Sequence, residues 1–409
     1  MTTAAHPGDA LSRGQRLVYI IGLGLLVALG PFTVDLYLPA FPSVAREFSA
    51  TDAAVQLTLT ATSIGFAVGQ LVVGPWSDRV GRRTPLLIAT AVHITASLGV
   101  AIAPNVEVLT MLRIAQGIGA AGGAVVALAI VRDLFGGQPL IRMLSRLALV
   151  TGLAPILAPV IGSQLLLVID WRGIFVALAA YGALVLAIAA LLIVETLPPE
   201  RRGISGHSTV RERYRALYTD RVFVGLALIG GMVFSALFVY LSSSSFLFQN
   251  IYGFTPQQFG LLFGINSIGV ALASQTSSRI MRRVAPQWVL TTAITVMLLS
   301  VLLIALFHLL GFGLISVVIP LFFAIASFGF GFPSIQVLAL AHHGQEAGTA
   351  ASLLGAVNAG LAGIISPIVG VIGITSALPM ALVMSAVLIV AQIVLWTVVR
   401  PRSVPSIGY

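Results

Sequence analysis

Long apolar runs alternate with short polar joints along the whole chain. Twelve runs fall near 17–40, 54–74, 85–103, 107–131, 144–168, 173–194, 221–246, 257–278, 287–309, 312–335, 347–371 and 374–399. Each is long enough to cross a bilayer core of ~30 Å at 1.5 Å per residue. Lipid offers the backbone no hydrogen bonds, so each run is expected to be a helix. The joint at 195–220 is longer than the rest and mixes arginines with acids, Gly, Pro and Ser. It reads as a linker. The pattern predicts an all-α membrane protein, with twelve transmembrane helices in two six-helix bundles, 17–194 and 221–399. Tails at 1–16 and 400–409 flank them. The first run is too long for a signal peptide's apolar core, and no small-residue cleavage site follows it, so it is expected to be an uncleaved span.

Composition agrees with the pattern. Hydrophobic residues make up 58% of the 409 and charged residues 9%, where a soluble domain carries roughly a quarter charged. All 22 basic residues are Arg, and there is no Cys. Disulfides and thiolate metal sites are therefore excluded. With the N-terminus inside, 19 of the 22 arginines fall on the inner side, Arg46 and Arg172 fall outside, and Arg113 lies within a span. This arginine bias predicts a multi-pass protein with both termini in the cytoplasm. It also accounts for the net charge of +9 without a nucleic-acid partner. No Ser/His/Asp arrangement or metal-ligand set marks an enzyme or a cofactor site.

Four stretches carry candidate chemistry. The first is Pro31–Pro42, reading PFTVDLYLPAFP. Residues Leu17–Val34 hold no ionisable side chain except Tyr19, and Asp35 follows them. A carboxylate at such a depth is costly and marks a candidate functional site. The second is the inner joint Gly74-Pro75-Trp76-Ser77-Asp78-Arg79-Val80-Gly81-Arg82-Arg83. Its glycines suit a tight reversal, and Asp78 can pair with arginines or cap a helix. Arg132 and Asp133 at the inner end of the fourth span are candidate members of the same charge network. The third is Leu112–Gly119, in which Arg113 needs a partner or water. Arg113 and Asp35 lie at similar depth, ~9 Å and ~8 Å from the outer face at 1.5 Å per residue, so a direct or water-bridged pair is expected. The fourth is Val150–Gly162 in the fifth span, where Pro155 and Pro159 remove helix bonds and Gly152 and Gly162 allow close packing.

These stretches resemble the major facilitator superfamily. The inner joint matches its cytoplasmic signature G-x-x-x-D-R-x-G-R-R at every position, and Leu112–Gly119 matches L-x-x-R-x-x-Q-G. Val150–Gly162 is similar to the antiporter motif, although Ala154 and Ser163 replace two of its glycines. APILAP, together with VDLYLPAFP (34–42), IVRDLF (130–135), WRGIF (171–175) and the stretch 240–266, resembles the Bcr/CflA subfamily of drug exporters. A weak internal repeat sets DRVGRR at 78–83 over SRIMRR at 278–283, as expected of two pseudo-symmetric bundles.

The resemblance implies an inner-membrane proton antiporter that exports chloramphenicol- or bicyclomycin-like drugs. Protons and a small-molecule substrate are then its partners besides the bilayer, no cofactor is needed, and a monomer suffices. It implies that Gly74, Asp78, Arg79, Gly81, Arg82, Arg83, Arg132 and Asp133 form an inner gate whose acid engages the other half. It implies coupling through Asp35 and Arg113. Two readings of Asp35 stay open, a proton carrier facing a cavity or a cap on the end of its helix. Tyr37, Gln116, Tyr240, Ser242, Asn266 and Asn358 could line a cavity or satisfy one another between helices. Ser243 is read the same way. His93 and His308 are read as structural or lipid-edge residues, His342 and His343 as solvated, and Glu346 as a helix cap. A transporter of one endogenous metabolite or sugar is the alternative function, and a non-transporting receptor or scaffold a remote one.

Overall fold

The structure, a computed structural model, describes residue 8 and residues 12–201, 215, 217–341 and 347–403. Most of the 195–220 linker, His342, His343 and Glu346 lie outside the described residues. The helices run α1 Arg13–Asp35, α2 Phe41–Phe48, α3 Asp52–Val80, α4 Arg83–Ala101, α5 Val106–Leu134, α6 Gly137–Leu165 and α7 Trp171–Leu192. They continue as α8 Arg221–Phe246, α9 Pro256–Ile280, α10 Pro286–Leu309, α11 Ile315–Leu340, α12 Ala347–Ile365, α13 Pro367–Ile372 and α14 Ala377–Val394. Among the described residues, twelve helical segments are long and apolar enough to cross a membrane.

Local chemistry sets the ends. The side chains of Asn105, Asp170 and Asp220 accept from the backbone N–H of Val108, Gly173 and Val222. They open α5, α7 and α8 in the usual N-cap manner. Thr255 and Gln258 form a reciprocal capping box at α9, where Pro256 occupies the first helical position. Several expected runs differ from the helices found. The run at 54–74 continues as α3 to Val80, so Gly74–Val80 of the expected inner joint is helical and the reversal falls at Gly81 and Arg82. The run at 17–40 ends as α1 at Asp35 and resumes as a 3-10 turn at Leu38–Ala40, because Pro39 and Pro42 cannot donate to a continuing helix. The run at 144–168 begins at Gly137, since a helix can carry Arg142 and Arg146 past the apolar core. The run at 347–371 breaks at Ser366, before Pro367.

The chain divides into two compact units, Met1–Tyr37 with Ala61–Gly206, and Leu38–Thr60 with His207–Tyr409. In the first, α1 packs on α5, α6 and α7, and α4 packs on α5 and α7. Leu23, Leu26, Val126, Ile130, Leu147 and Val185 form its core. Backbones approach closely there. A Cβ on Gly117 would sit 2.2 Å from the Thr62 carbonyl oxygen, so α5 rests on α3 where only glycine fits. In the second, α10 packs on α11 and α14, α9 on α11, and α8 on α12 and α14. The Leu38–Ala40 turn lies on α8 and α9. There the Gln249 amide donates to the Pro39 carbonyl at 2.9 Å, and the rings of Phe41 and Phe246 meet at 5.7 Å.

Gly117→Ala should therefore cost about 1–3 kcal/mol of packing strain, or a fall of about 5 °C in the melting temperature. Gly360→Ala, where a Cβ meets nothing within 4 Å, should leave it unchanged. Thermal unfolding of the purified variants in detergent checks both.

Candidate functional site

The first unit buries two charges near the end of α1. Asp35 is its last residue and is 6% exposed; Arg113, on α5, is fully buried. They do not form the expected direct pair: no ion pair joins them, whereas Arg82 pairs with Asp78 and with Asp133. Arg113 is engaged otherwise. Its Nη1 donates to the Thr33 carbonyl at 2.9 Å and to Gln116 Oε1 at 2.6 Å. Its guanidinium lies 4.3 Å from the Tyr37 ring centre and 5.5 Å from that of Phe175. The Thr33 carbonyl belongs to the last turn of α1, where the helix itself supplies no donor, and the helix dipole favours a cation there. Each ring contact with a desolvated cation is worth up to about 2 kcal/mol. Arg113 thus caps α1, two residues before Asp35.

The anchoring continues sideways. The Gln116 Nε2 donates to Ser97 Oγ at 2.7 Å, Ser97 donates to the His93 carbonyl at 2.7 Å, and His93 Nδ1 lies 3.4 Å from the Gln116 carbonyl. Gln116, expected as a possible cavity residue, is fully buried and bridges α5 to α4. His93 is likewise buried and structural. The Tyr37 ring is tilted against that of Phe175, their centres 5.3 Å apart, and Arg113 lies over both. Ser97 carries no signal in the sequence beyond an ordinary helix residue, and Phe175 stood out only as the last residue of WRGIF (171–175).

The proline-bearing helix meets the same place. Helix α6 continues through Pro155 and Pro159. A Cβ on Gly162 would fall 1.8 Å from the Leu36 carbonyl oxygen, so the last glycine of the motif lies directly on the residue after Asp35. Gly152 has open space around it. It lines an apolar pocket of about 430 Å³ with Val27, Leu128, Leu147 and Thr151.

At the other end of the same unit, Arg82 organises the inner joint. Its Nε donates to Asp133 Oδ2 at 2.7 Å, and its Nη1 donates to Ser77 Oγ at 3.0 Å and to Asp78. Burial alone would lower the Arg82 pKa, but the bonds and charges of Asp133 and Asp78 outweigh it and raise the value. Gly81 takes φ +107°, a conformation that favours glycine. Glu195 completes the arrangement, and sequence reasoning missed it as a mere linker acid. Its carboxylate accepts from the backbone N–H of Arg82 at 2.8 Å, Arg83 at 3.2 Å and Leu197 at 2.9 Å. It therefore caps the N-terminus of α4 from 112 or more residues away. Thr196 donates to Asp133 at 3.1 Å, and Arg83 donates to the Ala190 carbonyl at 2.6 Å. Asp78 engages Arg82 of its own unit. Gly74 is loosely packed, and Arg79 and Arg132 are exposed and stand apart from this network.

In the second unit, Asn266 Nδ2 donates to the Tyr240 hydroxyl at 2.9 Å, and the Tyr240 ring stacks on Phe263 at 5.6 Å. Ser242 and Ser243 bond back to the Val239 carbonyl. The amide oxygens of Asn266 and Asn358 are buried without a partner. His308 ends α10, half-buried.

A profile of the Major Facilitator Superfamily matches residues 23–367. The uncharacterized MFS-type transporter YdgK of Bacillus subtilis (strain 168) is 37% identical over 391 residues, 95% of this chain and 97% of that one. The bicyclomycin resistance protein homolog of Haemophilus influenzae is 30% identical over 91% of this chain and 94% of its own. The multidrug resistance protein MdtL of Vibrio parahaemolyticus is 28% identical over 81% of this chain and 83% of its own. Among solved structures, a bacterial homolog of the human lysosomal transporter Spinster aligns with a TM-score of 0.77 at 15% identity, over 96% of this chain and 98% of that one. At that identity the likeness speaks for the fold alone, twelve membrane helices of the superfamily type.

Losing a cap costs about 1 kcal/mol, or up to 2, and 1.4 kcal/mol is tenfold in an equilibrium. Glu195→Ala should therefore open the Arg79–Arg83 joint about tenfold more often, while Glu195→Gln, which keeps an acceptor oxygen, should fall between. The trypsin cleavage rate at Arg79, Arg82 and Arg83 in inside-out vesicles reads this opening. Equal rates in all three proteins would show that Glu195 does not hold the joint.

Proposed function

The chain belongs to the major facilitator superfamily, and from that premise we propose that it exports small lipophilic compounds, antibiotics among them, in exchange for protons. One observation carries this reading. Asp35 is a buried carboxylate at the end of the first span, and no ion pair joins it to Arg113, whose Nη1 bonds the Thr33 carbonyl two residues before it. Such a carboxylate can take up and release a proton without breaking an ion pair. Asp35 accepts a proton from the outer side and releases it inside, and substrate occupies the transporter in the alternate phase. A ligand drives such a cycle only by binding one state better than the other. Competition between proton and substrate at one acid supplies that difference.

The remaining parts follow the same logic. Two six-helix bundles, 17–194 and 221–399, rock to expose the site alternately, as repeat-built transporters do. Gly162 against Leu36 transmits movement of α6 to the Asp35 segment. Arg82 with Asp78, Asp133 and Glu195 forms the inner gate. The arginine bias supports a bacterial inner-membrane protein with both termini in the cytoplasm. The apolar pocket beside Gly152 and relatives named for bicyclomycin and multidrug resistance support a lipophilic cargo. The protein acts as a monomer, with the proton gradient as its only auxiliary.

A second reading, export or uptake of one polar metabolite, draws on the unpartnered amide oxygens of Asn266 and Asn358, which could hold hydroxyl or amine groups.

Asp35→Asn should abolish proton-driven transport into inverted vesicles and remove its dependence on pH, while leaving substrate exchange without a gradient intact. Proton-driven transport at the wild-type rate would remove Asp35 from the coupling role. Expression in an exporter-deficient host across an antibiotic panel separates the two cargo readings: protection against several unrelated lipophilic drugs supports export of drugs, and protection against none supports the single metabolite.

A further inference from the structure

Residues Leu38–Thr60 belong by sequence to the first bundle and by contact to the helices of the second. The compact unit that holds α8 to α14 includes them, and the division falls between Tyr37 and Leu38 and again between Thr60 and Ala61. The docking has two parts. The Leu38–Ala40 turn lies on α8 and α9, and α2 lies on α8. There Gln249 Nε2 donates to the Pro39 carbonyl at 2.9 Å and to Ser245 Oγ at 2.8 Å, and the Phe41 ring meets that of Phe246. The start of α3 lies on α12 and α13. A Cβ on Gly370 would fall 2.6 Å from the Ala53 backbone nitrogen, and one on Gly363 would fall 3.0 Å from Thr60 Cγ2.

The two parts differ in chemistry. The first is tied by the Gln249 amide. In the second, Gln56 is fully buried and neither atom of its amide has a hydrogen-bond partner. The hydroxyls of Thr60, on the same helix, and of Ser366, at the break before α13, are buried without a partner as well. Buried polar groups in folded proteins are nearly always paired, and leaving one unmet is unfavourable. A contact that gathers several such groups is better suited to opening than to permanence. Rocking of 17–194 against 221–399 carries Leu38–Thr60 with the first bundle and must break both parts. We propose that this segment is the outer gate, that the Gln249 bond to the Pro39 carbonyl is its catch, and that the unmet Gln56 amide favours its release. The inference rests on the alternating-access reading above, and the arginine bias puts the segment on the outer side. Three residues separate Asp35 from Pro39, so opening the gate changes the surroundings of the acid.

The chain has no cysteine. Val44→Cys, at a fully buried position of α2, therefore gives a single reporter, and Leu38→Cys, also fully buried, gives a second. The test measures how fast a membrane-impermeant maleimide reacts with each reporter in right-side-out vesicles of the full chain, with no drug and no gradient. One hydrogen bond is worth about a factor of five. Gln249→Ala, and Gln249→Glu, whose carboxylate keeps the size but has no N–H to give, should each label about fivefold faster. Gln56→Leu, which removes the unmet amide, should label about fivefold more slowly. Opposite signs at the two glutamines are the expected result. Faster labelling in Gln56→Leu as well would make both residues mere packing and overturn the proposal. Equal rates in all the proteins would overturn it by showing that the segment stays docked. Faster labelling in inverted than in right-side-out vesicles would overturn it by placing the segment on the inner side. These rates involve neither drug nor gradient, so a failure of the proton-exchange reading alone leaves them unchanged.

Discussion

A guanidinium buried in the outer part of a membrane helix needs partners, and the first unit is built around those that Arg113 has: its Nη1 is bonded twice, while its Nε and Nη2 are buried without a hydrogen-bond partner. The solution uses no carboxylate. One nitrogen meets a helix-end carbonyl and a glutamine oxygen, and two aromatic rings cover the plane. Helix α1 must then stop where it does, so that the Thr33 carbonyl is left over. Tyr37 must turn back across α5, and Ser97 must hold the other end of Gln116. Asp35 occupies the residue between the capped turn and Tyr37. Its position is a by-product of satisfying the arginine, and so is its freedom from an ion pair.

Arg82 solves the same problem differently. It sits at the membrane edge between two helices, where carboxylates are affordable, and takes both Asp78 and Asp133. A pair of that kind is rigid while it is dry and weakens when water reaches it. Neutral partners such as those of Arg113 change less with hydration. The two arginines of one unit are thus suited to opposite tasks, Arg82 to a contact that opens and Arg113 to one that persists.

Much of this was readable in the sequence, and the failures have a common cause. The twelve spans follow from apolar length alone. The Asp78–Arg82 cluster follows from a signature in which glycine, acid and arginine keep fixed spacing. Depth along a helix was also legible, and it put Asp35 and Arg113 at one level. Rotation about the helix axis was not, and it decided that Arg113 reaches the Thr33 carbonyl instead of the carboxylate. The same blindness applies to Arg132 and Asp133. Adjacent helix residues point ~100° apart, and only Asp133 faces the network. Glu195 was invisible for another reason. Its partners lie 112 and 113 residues earlier, and its neighbours in sequence have the composition of a linker.

The placement of Glu195, Thr196 and Leu197 bears on where the polypeptide could be divided. By composition the connection between the halves starts at residue 195. By hydrogen bonding those three residues belong to the first unit: one caps α4, one braces Asp133, and Leu197 is buried. Two separately expressed fragments would therefore reassemble a sound first half only if the break falls after Leu197. A gene split before codon 195 would hand the clamp of one half to the polypeptide of the other.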